Sequence, residues 1–106
     1  MSHIDGMRLV HVRHEHCACG MAMGYHSATG AVGVASVTCG PGLTQTMTAL
    51  ATASRARIPL VVFAGESPIN SKWYNQGIDQ APLVLATGSH YIAAHSPARM
   101  LDHVRE

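Results

Sequence analysis

An α/β fold with a parallel sheet flanked by helices is what this sequence predicts, and three observations carry it. Strand-like and helix-like segments alternate along the chain. The strand-like segments at residues 32–38 and 59–64 are continuous apolar runs, as expected of parallel strands covered on both faces. The length, 106 residues, suits a single domain.

The elements follow in order. Residues 7–12 (Met-Arg-Leu-Val-His-Val) are a short β-prone run. Residues 15–26 are rich in small, helix-tolerant side chains and predict a helix that breaks at Thr29-Gly30. Gly20 and Gly24 inside it predict that another backbone packs against that helix. A strand at residues 32–38 leads into the tight turn Gly40-Pro41-Gly42, and residues 43–56 read as a second helix. Residues 59–64 form the next strand, ended by Gly65, and residues 66–77 are a long loop. A short helix within 78–86, a strand at 91–94 and a final helix with Ser96 as N-cap and Pro97 in its first turn complete the reading. No repeat or linker divides residues 1–106.

Charge narrows the function classes. Apolar residues make up 47% and charged residues 12%, against about 25% charged in typical domains. The net charge of +1 offers no footprint for nucleic acid or an anionic membrane. No apolar run reaches the roughly 20 residues of a membrane span, and the first residues do not resemble a secretory signal. Cys17, Cys19 and Cys39 cannot all pair, which favours a reducing, cytoplasmic compartment. His11, His14, His16, Cys17 and Cys19 cluster, but neither Cys-x-x-Cys nor His-x-x-x-His spacing occurs, so no metal site is expected.

From His14 through Ser54 the only formally charged side chain is Glu15. Such a stretch is expected to be buried in the core or against a partner. Glu15 follows the β-prone run, so it is expected at the carboxyl end of a strand, where α/β sheets place ligands. Desolvation there disfavours the ionised carboxyl, the condition for sharing a proton near neutrality. The competing reading is a helix-start carboxylate that complements the macrodipole or pairs with Arg13, His14 or His16. Gly40-Pro41-Gly42 lacks the Gly-Lys-Ser/Thr ending of a phosphate loop, and Pro41 removes an N–H donor. It reads as a structural turn or as backbone approaching a flat ligand.

Several ordered motifs resemble a known family. They are Val12-Arg13-His14-Glu15, Gly24-Tyr25, Thr29-Gly30, Gly40-Pro41-Gly42 and Ile58-Pro59-Leu60. Over residues 9–105 the chain resembles the N-terminal pyrimidine-binding domain of thiamine-diphosphate-dependent enzymes of the acetolactate synthase and 2-oxo acid decarboxylase group. The resemblance implies that Glu15 hydrogen-bonds a ring nitrogen of the cofactor's aminopyrimidine. The tautomer this favours removes the thiazolium proton, and the resulting ylide attacks a 2-oxo acid. It implies that Gly40, Pro41 and Gly42 line the pyrimidine pocket and that Gln76 lies near the substrate. Asn75 and Gly77 replace the Phe and Glu usual around that glutamine, and Gln45 stands where many members have Asn.

The family's first strand and helix have no counterpart before Leu9, and the Gly-Asp-Gly…Asn element that holds magnesium and the diphosphate has none in this sequence. The expectation is therefore an incomplete pyrimidine-binding domain over residues 1–106, carrying half a site and inactive alone. A diphosphate-binding domain or subunit would complete it in trans, within an oligomer acting as a lyase or transferase on a small 2-oxo acid. The alternative expectation is a non-catalytic remnant or interaction module that associates with a full-length relative.

Overall fold

The computed structural model describes residues 6–66 and 78–94. Its elements are α1 (Glu15–Thr29), β1 (Gly33–Val37), α2 (Pro41–Thr44), α3 (Met47–Ala56), β2 (Leu60–Ala64) and α4 (Gln80–Ala86). The two strands pair in parallel, with Gly33 opposite Leu60 and Val37 opposite Ala64. The predicted α/β class is therefore the observed one.

Helix α1 begins where His14, in extended conformation, turns its ring to accept the His16 N–H at 3.0 Å. This N-cap satisfies a donor that the first helical turn leaves open. The helix ends at Gly30, whose φ of 79° closes a left-handed cap and whose N–H donates to the His26 carbonyl at 2.7 Å. The Thr29 hydroxyl donates to the Tyr25 carbonyl and accepts the Ala31 N–H, reversing the chain straight into β1.

Packing of α1 on β1 is unusually close. A side chain on Gly33 would collide with the Ala22 carbonyl oxygen and would stand 2.9 Å from the Ala22 α-carbon. Around this contact Cys19, Ala22, Ala35 and Ala49 form a small-residue core, with Leu60 and Val62 packed against it. Leu43, Leu50 and Val84 form a second cluster that shares Leu60 and Val62. The core clusters thus lie on one face of the sheet. On the other, Val34 is 60% exposed, Val61 41% and Phe63 44%.

Four sequence expectations are corrected. Residues 7–12 form no strand, and neither do residues 91–94. A strand exists through hydrogen bonds to a neighbour, and neither segment has one among the described residues. Residues 91–94 instead help line, with β2, an open crevice of about 1300 Å³. The helix expected over 43–56 is divided into α2 and α3, because the Thr46 hydroxyl donates back to the Leu43 carbonyl at 2.6 Å. At Gly20 and Gly24 no atom lies within 4 Å of the point a side-chain carbon would occupy, so no backbone packs there among the described residues. The loop expected over 66–77, apart from Glu66, and the helix after Ser96 lie outside the described residues.

The two kinds of glycine predict opposite outcomes. Gly33→Ala should destabilise the chain by about 1–3 kcal/mol through overpacking, whereas Gly20→Ala and Gly24→Ala should each stabilise it by about 0.5–1 kcal/mol. Denaturant unfolding of the three variants checks both signs. The cysteines give a second prediction. Cys17 is exposed while Cys19 and Cys39 are buried, so a thiol reagent should label Cys17 in the folded chain and the other two only on unfolding. Burial pushes the Cys19 thiol up. Above the ordinary thiol value of about 8.5 the unfolded chain releases that proton while the folded chain retains it. Stability is therefore full below that pH and falls as pH rises. Cys19→Ala should flatten the alkaline slope measured by urea unfolding.

Candidate functional site

Glu15 is the first residue of α1 and is half-buried. It does not follow a strand, as the sequence suggested, but the close seating of α1 brings it beside the carboxyl end of β1 all the same. A cleft of about 190 Å³ opens there, lined by Val12, Arg13, His14, Glu15, Ala18, Ser36, Val37 and Thr38. Pockets that enclose a whole drug-sized ligand occupy roughly 300–1,000 Å³. This one suits a part of a ligand, presented on an open surface.

The turn after β1 reaches the same carboxylate. A side-chain carbon on Gly42 would lie 3.8 Å from Glu15 Oε1 and would collide with the Thr38 hydroxyl oxygen. Gly42 is therefore a position where the bare backbone faces the acid. Gly40 adopts φ 61°, ψ −114°, a conformation open to glycine and costly for other residues. Pro41 occupies the first helical position of α2, where its missing N–H costs nothing, and its ring is exposed. Gly40, Pro41 and Gly42 do not line the cleft; Gly42 abuts the carboxylate instead.

The structure thus brings together Glu15, Thr38 and Gly42 from three separate segments. Thr38 was not singled out by sequence reasoning, since a threonine at the end of an apolar strand carries no signal of its own. Ion pairing of Glu15 with Arg13, His14 or His16, one of the readings left open, does not occur among the described residues, and the His14 ring is engaged by the His16 N–H. Gln76 lies outside the described residues. Among the described residues no three His, Cys, Asp or Glu side chains converge on a metal position, and no helix is long and apolar enough to cross a membrane.

The first residue of α1 thus stands beside the carboxyl end of β1, with Thr38 and Gly42 close to its carboxylate. Comparison with known proteins gives the family. Residues 1–83 match the family described as thiamine pyrophosphate enzyme, N-terminal TPP binding domain, and the chain belongs to that family. It is 38% identical over 95 residues to the acetolactate synthase large subunit IlvG of Mycobacterium tuberculosis, covering 87% of this chain and 17% of that protein. It is 51% identical over 63 residues to the acetolactate synthase isozyme 3 large subunit of Escherichia coli, covering 59% of this chain and 11% of that protein. It is 42% identical over 81 residues to 2-hydroxyacyl-CoA lyase 2 of Xenopus laevis, covering 74% of this chain and 12% of that protein. The chain therefore spans less than a fifth of the length of these relatives.

The contact at Gly42 predicts a coupled pair of substitutions. Gly42→Ala should destabilise the chain by about 1–3 kcal/mol, and adding Thr38→Ala, which removes the colliding oxygen, should recover most of that loss. A double-mutant cycle by thermal unfolding measures the coupling; strictly additive effects would contradict the contact.

Proposed function

We propose that this chain is the pyrimidine-binding half of a thiamine-diphosphate site in an enzyme that acts on 2-oxo acids, with Glu15 as the residue that activates the cofactor. The observation that supports this best is the meeting of the Glu15 carboxylate with the Gly42 backbone beside the end of β1, in a chain of the thiamine pyrophosphate enzyme family. The fit to the cofactor rests on the cleft beside Glu15, whose volume of about 190 Å³ matches part of a ligand and whose walls include Val12, Ala18 and Val37.

When bound, thiamine diphosphate supplies the electron sink that cleavage next to a 2-oxo acid carbonyl requires. The chain's own contributions are local. Glu15 would share a proton with a ring nitrogen of the aminopyrimidine. Gly42 would present backbone to the ring, with Gly40 and Pro41 setting its position. Val12, Ala18 and Val37 would give the cleft apolar walls. Gln76 is proposed as a substrate-side residue on the strength of its sequence context alone.

A half-site requires a complement. On this reading a diphosphate-binding domain or subunit supplies the magnesium and diphosphate contacts, the assembly is an oligomer, and the exposed Val34, Val61 and Phe63 are covered within it. Three cysteines that form no disulfide with one another accord with a reducing, cytoplasmic setting. The lyase reaction releases carbon dioxide from a 2-oxo acid; acetolactate synthesis adds transfer to a second carbonyl. The second reading, a non-catalytic module that docks on a longer relative, draws on the same exposed apolar face and on the open Gly20 and Gly24 side of α1.

The test combines the chain with a polypeptide carrying the diphosphate-binding domain of a family member, thiamine diphosphate, magnesium and a 2-oxo acid such as pyruvate. Carbon dioxide release is expected, and Glu15→Gln should reduce it at least a hundredfold while leaving the association intact. An active Glu15→Gln assembly contradicts the role given to Glu15. Association without turnover, unaffected by Glu15→Gln or by added cofactor, supports the docking module instead.

A further inference from the structure

A buried glutamine ties the two strand ends together behind the candidate site. Gln80, the first residue of α4, is only 5% exposed, and its side chain spends both of its polar atoms on distant backbone. Its Oε1 accepts the Gly40 N–H at 2.9 Å, and its Nε2 donates to the Gly65 carbonyl at 3.2 Å. Gly40 opens the turn after β1, and Gly65 follows β2 directly. The backbone ladder between the strands ends with Gly65 N–H donating to the Val37 carbonyl at 3.2 Å. Gln80 continues that connection one step further, from Gly65 to Gly40, with a side chain in place of a strand.

We propose that Gln80 is a positioning residue, which holds Gly40 so that the turn carries Gly42 against the Glu15 carboxylate. The proposal rests on the pyrimidine-site reading for its purpose, though the clasp can be tested without it. Three features of the contact support it. Gly40 lies outside the regular part of helix and strand, so its dihedrals of φ 61° and ψ −114° must be held from outside. One side chain has to offer an acceptor to Gly40 and a donor to Gly65 at once, which an amide does and a carboxylate or thioether does not. The site is also tight: a side-chain carbon on Gly65 would stand 3.4 Å from the Cys39 nitrogen, so a slip at one strand end is felt directly at the other.

The chain of contacts runs from Gln80 to Gly40 and on through the turn to Gly42, which abuts Glu15. Loss of the amide would leave the buried Gly40 N–H without its partner, and the backbone would shift to hydrate it. The shift would appear first at the turn, not uniformly across the core. That locality separates positioning from general support of the fold.

The experiment uses the full chain and two variants. Gln80→Met preserves length and apolar bulk and removes both hydrogen bonds, whereas Gln80→Glu retains an acceptor for Gly40 and removes the donor to Gly65. Amide exchange is followed by NMR, with the Leu50 N–H, bonded to the Thr46 carbonyl at 2.9 Å, as internal reference. Gln80→Met should raise exchange at Gly40 at least tenfold relative to Leu50 and shift the side-chain carboxyl resonance of Glu15. Gln80→Glu should retain most of the protection at Gly40. Equal acceleration at Gly40 and Leu50, or an unmoved Glu15 resonance, overturns the proposal. If Gln80→Met does not fold, Gln80→Glu decides alone: protection at Gly40 retained relative to Leu50 supports the clasp, and its loss overturns it. Titration of the chain combined with the diphosphate-binding polypeptide, using thiamine diphosphate and magnesium, adds a binding readout, in which Gln80→Met should weaken binding at least tenfold. Equal affinity in the variant and the unaltered chain counts against the proposal. Absence of binding to the unaltered assembly counts against the pyrimidine-site reading, and amide exchange then decides the clasp.

Discussion

The contact between α1 and β1 at Gly33 is the constraint on which the rest of the described structure depends. The Ala22 carbonyl lies where any side chain at position 33 would have to be. Helix and strand can therefore approach only because one partner has no Cβ and the surrounding side chains, Ala18, Cys19, Ala35 and Ala49, are small. Close packing of this sort leaves little freedom for the helix to slide or roll, because interiors have few voids into which a displaced side chain could move. Since α1 is a rigid rod of 15 residues, fixing its middle on the strand also fixes its first residue. That residue is Glu15, and its place beside Thr38 and Gly42 is a consequence of packing almost two helical turns away.

The burial expected of the charge-poor stretch from His14 to Ser54 is seen only in part: Cys19, Ala22, Gly33 and Ala35 are buried, while most of α1 and alternate residues of β1 are exposed. Burying a charge without a partner is costly, and a carboxylate retained in such surroundings stands apart from an ordinary surface acid. In this structure Glu15 is half-buried and not enclosed, and the sheet has one clothed and one bare face. Parallel sheets are ordinarily covered on both faces. Here one face carries the core clusters and the other presents Val34, Val61 and Phe63 to solvent.

Local pattern made much of the fold legible. The small-residue helix from Glu15, the apolar runs that became β1 and β2, the short helix before Ala86 and the Thr29-Gly30 break all follow from interactions within a few residues of one another. The misplaced elements have a common cause. Residues 7–12 and 91–94 have β-prone composition, but a strand needs a hydrogen-bonding neighbour, and composition does not supply one. The break at Thr46 depends on a single hydroxyl turned back onto the Leu43 carbonyl, a choice that a threonine in a helix-like run does not announce.

By itself the sequence determined the kinds of element, their order, the isolation of Glu15 within an uncharged stretch and, through its ordered motifs, the family. Tertiary structure alone decided that Glu15, Thr38 and Gly42 meet, that Gly33 is the point of closest approach, and that Gln80 joins Gly40 to Gly65. Those contacts link positions as much as 40 residues apart. They arise from the way small side chains let helix, strand and turn close on one another, and a glutamine in a sequence looks the same whether it faces water or clasps the glycines after two strands.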